Sequence, residues 1–172
     1  MEKHIFAAIT PLIICVSSAR ADSPLVQKAG ITVSGIAQVG VATDDEPDLH
    51  GSNPMAGFEL GYRFRTGTEP YVGFALGIGG KEGLVGTGGF GLRQRFKLSL
   101  VEPFVEAGFF KVNDGGDGTL SFTIGAGVDF SVTEKLSIGV AGGHYFSNDK
   151  IEASSGSLDW YARTQLTYRL GQ

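Results

Sequence analysis

The octapeptide GGHYFSND, residues 142 to 149, sets His144, Ser147 and Asp149 within six residues. These are the parts of a nucleophilic centre. An imidazole takes a proton from a hydroxyl, and a carboxylate holds the imidazole in the working tautomer. Asp159, further along, is a second candidate for the orienting acid. The chemistry requires His144 and Ser147 on one face, and the element that carries them decides that.

That element reads as a β-strand. In MAGFELGYRFR, residues 55 to 65, Ala56, Phe58, Leu60, Tyr62 and Phe64 alternate with Gly57, Glu59, Gly61, Arg63 and Arg65. In TLSFTIGAGVDFSV, residues 119 to 132, Leu120, Phe122, Ile124, Ala126, Val128, Phe130 and Val132 alternate with small or polar residues. Successive side chains of a strand point to opposite faces, so each segment has one apolar and one polar side. The period predicts eight strands, at 30–43, 55–66, 71–80, 84–98, 103–112, 119–132, 136–146 and 157–170. With this period Leu136, Ile138, Val140, His144 and Phe146 share the apolar face, whereas Tyr145 and Ser147 share the other. Residues three apart do not meet on a strand; only a β-bulge at Tyr145 or Phe146 would bring His144 and Ser147 together.

The N-terminus has Lys3, an apolar run from Ile5 to Val16, and Ala19-Arg20-Ala21. This is the pattern of a cleaved secretory signal peptide, expected over 1–21, with a single mature domain over 22–172. The sole cysteine, Cys15, falls in the leader, and Ile14 before it does not suit lipidation, so the exported domain carries no disulfide. Removing Lys3, Arg20 and Glu2 takes the formal charge from −4 to −5, which argues against nucleic acid as a partner. The 27 glycines show no collagen period.

Eight strands of about 10 residues make the smallest even-numbered transmembrane barrel. Connections after strands 1 and 7 are long and polar, whereas those after 2, 4 and 6 (TGTEP, SLVE, TEK) are short. A soluble eight-stranded carrier would show the same alternation with its apolar side inward. Two features favour the membrane. Glycines, among them Gly57, Gly61, Gly89, Gly91, Gly125, Gly127 and Gly143, crowd the polar face, where a narrow lumen leaves little room. The apolar face carries aromatics near the strand ends, with Phe58, Phe109, Phe122, Phe146 and Trp160 toward one interface and Phe64, Phe96, Phe130 and Tyr168 toward the other. The fold class expected is therefore an all-β, eight-stranded, antiparallel up-and-down transmembrane β-barrel.

The segments GAGVDFSVTEKLSIGVAGGHYF and LTYRL, with the paired openings EPYVGFALGIG (69–79) and EPFVEAGFF (102–110), resemble the OmpA-like, opacity-type outer-membrane β-barrel family, barrel domain only. The resemblance implies a Gram-negative outer membrane, insertion by the barrel-assembly machinery, and a lumen plugged by ion pairs. The phase puts Glu59, Arg63, Arg65, Arg93, Arg95, Lys97, Glu106, Asp129, Asp159, Arg163 and Arg169 inside. In so narrow a lumen they are expected to interlock; a narrow pore is the alternative.

A second resemblance is to outer-membrane lipid A deacylases, whose signature is His-x-Ser-Asn on the penultimate strand with a downstream carboxylate. Here His144-Tyr145-Phe146-Ser147-Asn148 holds one residue more, and Asp159 would be the acid. The expectation is that His144 joins the aromatic girdle and that the protein is not an enzyme. The loop DDEPDLHGSNP, with His50, reads as a solvated acidic loop, and NDGGDG lacks the ligand spacing and closing Glu of a calcium loop. No metal or cofactor is expected. The expected partners are outer-membrane lipid and lipopolysaccharide, with acidic loops free to meet a surface ligand. The chain is expected to be a monomer with a structural or surface-interaction role.

Overall fold

Strict alternation folds as strand when one face can be buried, and here the buried face is the polar one. The computed structural model describes residues 28–42, 52–78, 86–113, 118–147, 152–153 and 156–171. The expected signal peptide, the loop with His50, the tip of NDGGDG and Asp149 lie outside the described residues.

Among the described residues nine strands follow one another: β1 (Gly30–Ala42), β2 (Ser52–Arg63), β3 (Thr68–Gly77), β4 (Gly86–Arg95), β5 (Val101–Asn113), β6 (Thr119–Ser131), β7 (Leu136–Phe146), β8 (Glu152–Ala153) and β9 (Gly156–Leu170). Neighbours pair antiparallel from β1 to β7, β7 pairs with β9, and β9 returns to β1, so eight strands close a barrel without free edges. No helix occurs among the described residues. The two-residue β8 pairs only with the start of β9, through Glu152↔Ser157 and Ala153↔Gly156. It is absent from the sequence reading because two residues carry no period.

Closure is long and regular. β1 runs against β9 from Ile31↔Leu170 to Val41↔Trp160 and shifts register only between Val41 and Ala42. Both termini of the barrel and the turns after β2, β4 and β6 share one end, the turn end; the connections after β1, β3, β5 and β7 share the loop end. The turns are tight. Gly67 takes a φ of 85°, which suits glycine, and its amide donates to the Phe64 carbonyl. After β4 the chain turns at Ser99, and Leu98 and Val101 exchange backbone hydrogen bonds of 2.8 and 3.1 Å.

Large apolar side chains face out all round the wall: Phe90 is 60% exposed, and Val72, Leu92, Ile138 and Leu166 are about half exposed. A water-soluble carrier would hold these side chains inside, so the apolar-inward alternative does not fit. The lumen is filled by the other face. Interior glycines make this geometrically possible. A Cβ on Gly91 would come within 2.6 Å of the Tyr71 ring, and one on Gly143 within 2.5 Å of the Tyr161 hydroxyl. Small residues thus seat large ones across the lumen.

Candidate functional site: the lumen charge network

Each charged side chain enters the lumen because its strand parity sends it there, and neighbours are set by register. Arg93 on β4 pairs across to Glu69 on β3 and Glu106 on β5. Its guanidinium is fully buried. It reaches Glu106 at 2.8 Å, Glu59 at 2.9 Å and Glu69 at 3.3 Å. It lies over the rings of Tyr71, at 4.4 Å, and Phe104, at 4.9 Å. Arg163 on β9 closes the ring from the other wall, with Nη1 donating to Glu59 at 2.7 Å and Nη2 to Glu106 at 2.8 Å. The Tyr161 hydroxyl donates to Glu106 Oε1 at 2.9 Å.

A second cluster lies toward the turn end. Arg63 donates to Glu69 at 3.1 Å and to Glu102 at 2.7 Å. Arg95 donates to Glu69 at 2.8 Å and also pairs with Asp129, which accepts from Gln165 at 2.7 Å. Arg169 stands 3.8 Å from Glu102. Glu69 is the link between clusters, accepting from Arg63, Arg93, Arg95 and the Thr32 hydroxyl. Five arginines face five carboxylates, so the network is neutral in formal charge. Removing one partner of such a buried pair costs about 3–5 kcal/mol, because the charge left behind has no water to turn to.

The loop half of the lumen is filled differently. Ile36, Met55 and Ala75 form one buried cluster, and Val112, Tyr145 and Tyr161 another. Gln38 Nε2 donates to the Tyr145 hydroxyl at 2.6 Å. A cavity of about 20 Å³ remains between these groups and the charge network, lined by Gln38, Glu59, Tyr71, Thr123, Tyr145 and Arg163. It has room for about one water molecule.

Several expected positions change. Arg65 lies exposed in the turn after β2, not in the lumen, because the strand ends at Arg63 and Gly67 reverses the chain. Lys97 is half-buried in the turn after β4 and does not join the network. Asp159 does not change in this way: it lies within β9, half-buried near the loop end. Glu69 and Glu102 fall in the short connections expected from the sequence, TGTEP and SLVE, yet each is the second residue of a strand and has inward parity. Each precedes a proline and, two residues on, an inward ring, Tyr71 or Phe104. Extending the phase of GFALG and EAGFF back through each proline would have found them.

Of the girdle residues, Phe64, Phe109, Phe130, Phe146, Trp160 and Tyr168 are outward and exposed, and Phe96 is half-buried just past β4. Phe58 is mid-strand rather than at an interface, because β2 begins at Ser52; its ring meets Phe74 edge-on at 4.5 Å. Phe90, Phe109, Phe122 and Phe146 form an arc of neighbouring rings that His144 and Trp160 continue.

His144 is therefore part of a ring belt. Its centroid lies 4.5 Å from both Phe146 and Trp160, and its Nδ1 has no hydrogen-bond partner among the described residues. The β6–β7 ladder runs in unbroken register through Ile124↔His144, Thr123↔Tyr145 and Phe122↔Phe146. The bulge that would turn Ser147 toward His144 is absent from that ladder, and Ser147 lies one residue beyond the strand.

No protein-family model matches the chain, and no curated protein matches it. Solved structures do. The N-terminal β-barrel domain of Pseudomonas aeruginosa OprF superposes with a TM-score of 0.63 at 15% identity, over 84% of this chain and 98% of that one. Neisserial surface protein A (NspA) does so at 0.56 and 15%, over 84% and 100%. A de novo designed transmembrane β-barrel does so at 0.56 and 22%, over 85% and 100%. At such identities the likeness is one of fold, and the chain has the closed eight-stranded antiparallel fold of these barrels.

Proposed function

We propose that the chain is a small outer-membrane β-barrel protein of Gram-negative bacteria, OmpA-like in type, with a structural or surface-interaction role. The observation that carries this reading is the pairing of an apolar exterior with a lumen sealed by a neutral ion-pair network. Such a wall needs hydrocarbon around it. Such a lumen transmits nothing large, so what remains for function is the barrel as an envelope component and its loops as a surface.

In this reading a leader is removed at about Ala21, the barrel-assembly machinery inserts the chain, and it sits as a monomer among lipopolysaccharide and phospholipid. The connection between β1 and β2, which in sequence carries Asp44, Asp45, Glu46 and Asp48, is then the one available to a surface ligand. No catalytic role is assigned to His144, Ser147 or Asp159, because the β6–β7 ladder holds no bulge at Tyr145 or Phe146 and the imidazole is packed between rings.

The test is an epitope inserted after Asp48 in the full chain expressed in Gram-negative cells. Labelling of intact cells, with a heat-dependent electrophoretic shift of the folded barrel, is the expected result. A soluble protein, or a tag reached only after the envelope is opened, would contradict it. Lipid A mass spectra from the same cells are expected to match those of cells without the protein; loss of one acyl chain, abolished by Ser147→Ala, would instead establish the deacylase.

A further inference from the structure

The turn end carries cations in an arrangement the lumen network does not use. Each described turn there holds one: Arg65 between β2 and β3, Lys97 between β4 and β5, and Lys135 between β6 and β7, with Lys28 just ahead of β1. Arg65, Lys135 and Lys28 are exposed, and Lys97 is half-buried. Among the described residues of this rim the one exposed carboxylate is Glu134, 3.3 Å from Lys28. The other carboxylates near this end, Glu69, Glu102 and Asp129, are buried in the lumen and committed to arginines.

The cations are distributed, not clustered. Turns after alternate strands lie around the whole circumference, so Arg65, Lys97 and Lys135 are spread around the barrel mouth, while Lys28 reaches the β6–β7 turn and pairs there with Glu134. A single docked protein would want them on one side, whereas a surrounding annulus matches a ring. Their neighbours are apolar: exposed Phe64 precedes Arg65, and half-buried Phe96 precedes Lys97. Leu98 and Leu100, in the same turn as Lys97, are 62% and 67% exposed. A turn with two bare leucines beside a lysine suits the boundary between acyl chains and headgroups, where the apolar stem stays in hydrocarbon and the charge reaches up. The turns are also fixed in place. The Arg95 amide donates to the Gly67 carbonyl at 3.0 Å, and the Arg169 amide to the Lys135 carbonyl at 2.8 Å.

We propose that this rim is a contact surface for anionic phospholipids, with Arg65, Lys97 and Lys135 engaging headgroup phosphates of the leaflet around the turn end. The inference rests on the membrane-barrel reading and adds a lipid preference and a side.

The test uses the full folded chain in phosphatidylcholine vesicles containing a fraction of phosphatidylglycerol. Insertion is checked first by the heat-dependent gel shift. Spin-labelled phosphatidylglycerol and phosphatidylcholine then report the relative association of each lipid with the barrel. The expected result is about threefold to fivefold preference for the anionic lipid, falling toward parity in R65Q/K97Q/K135Q and in about 1 M salt. Parity in the native chain, as a rim meant for an acidic protein would give, overturns the proposal. So does a preference that survives both the substitutions and the salt. The salt arm needs no variant, so a poorly folding triple mutant does not rescue the idea. Failure of the native chain to insert would sink the membrane reading itself, and insertion without preference would sink this proposal alone.

Discussion

From the middle of the barrel to the turn end the lumen is filled by arginines and carboxylates; toward the loop end it is filled by Ile36, Met55, Ala75, Val112 and Tyr145. The two halves have the same wall and the same strands, so the difference isolates what each filling does. The charged half ties strands together at specific residues. Arg93 alone connects β4 to β2, β3 and β5, and Arg163 brings in β9. A one-residue slip of any of these strands would turn its charges to the hydrocarbon, so the network fixes register as well as filling space. The loop half, with softer apolar packing and one neutral side-chain bond between Gln38 and Tyr145, tolerates change better.

Substitutions can break that contrast, beginning with the largest effect. Arg93→Met leaves Glu59, Glu69 and Glu106 short of a shared cation, and its cost is expected at about 3–5 kcal/mol. Guanidinium unfolding of the barrel in detergent, followed by the heat-dependent gel shift, reads this directly. A cost under 1 kcal/mol would mean that water, not Arg93, compensates those carboxylates. Glu69→Gln removes the negative charge shared by three arginines and replaces one accepting oxygen with an NH2 donor, and is expected to cost about 3 kcal/mol on the same assay. It should also be non-additive with Arg95→Met in a double-mutant cycle.

Gly143→Val tests close approach rather than charge. The added side chain meets the Tyr161 hydroxyl and the Ile124 carbonyl, and a loss of about 1–3 kcal/mol is expected. In the loop half, Tyr145→Phe removes only the bond from Gln38 and is expected to cost about 1 kcal/mol. If Tyr145→Phe proved as costly as Arg93→Met, the division of the lumen into a register-fixing half and a filling half would be wrong.

Much of this was legible in the residues. The alternation placed β7 at 136–146 to the residue and β1, β6 and β9 within a residue. Parity alone sends Glu59, Arg93, Glu106 and Arg163 inward. Partner choice was not legible, because period two says which face a side chain joins but not how strands stagger around a closed barrel. Glu69 and Glu102 were obscured by the prolines after them, which read as turn letters although Pro70 and Pro103 stand outward near strand starts. Arg65 was over-extended for the opposite reason: an alternation carries no stop signal, and Gly67 supplied it two residues later.

The central claim, that the ion-pair network seals the lumen, is tested most directly by planar-bilayer recording from the folded chain after insertion is verified. The expected result is a bilayer with inserted barrel and no stable open steps. Reproducible conductance steps that change on substitution of Arg93 or Glu106 would contradict it and make the network a filter instead of a plug.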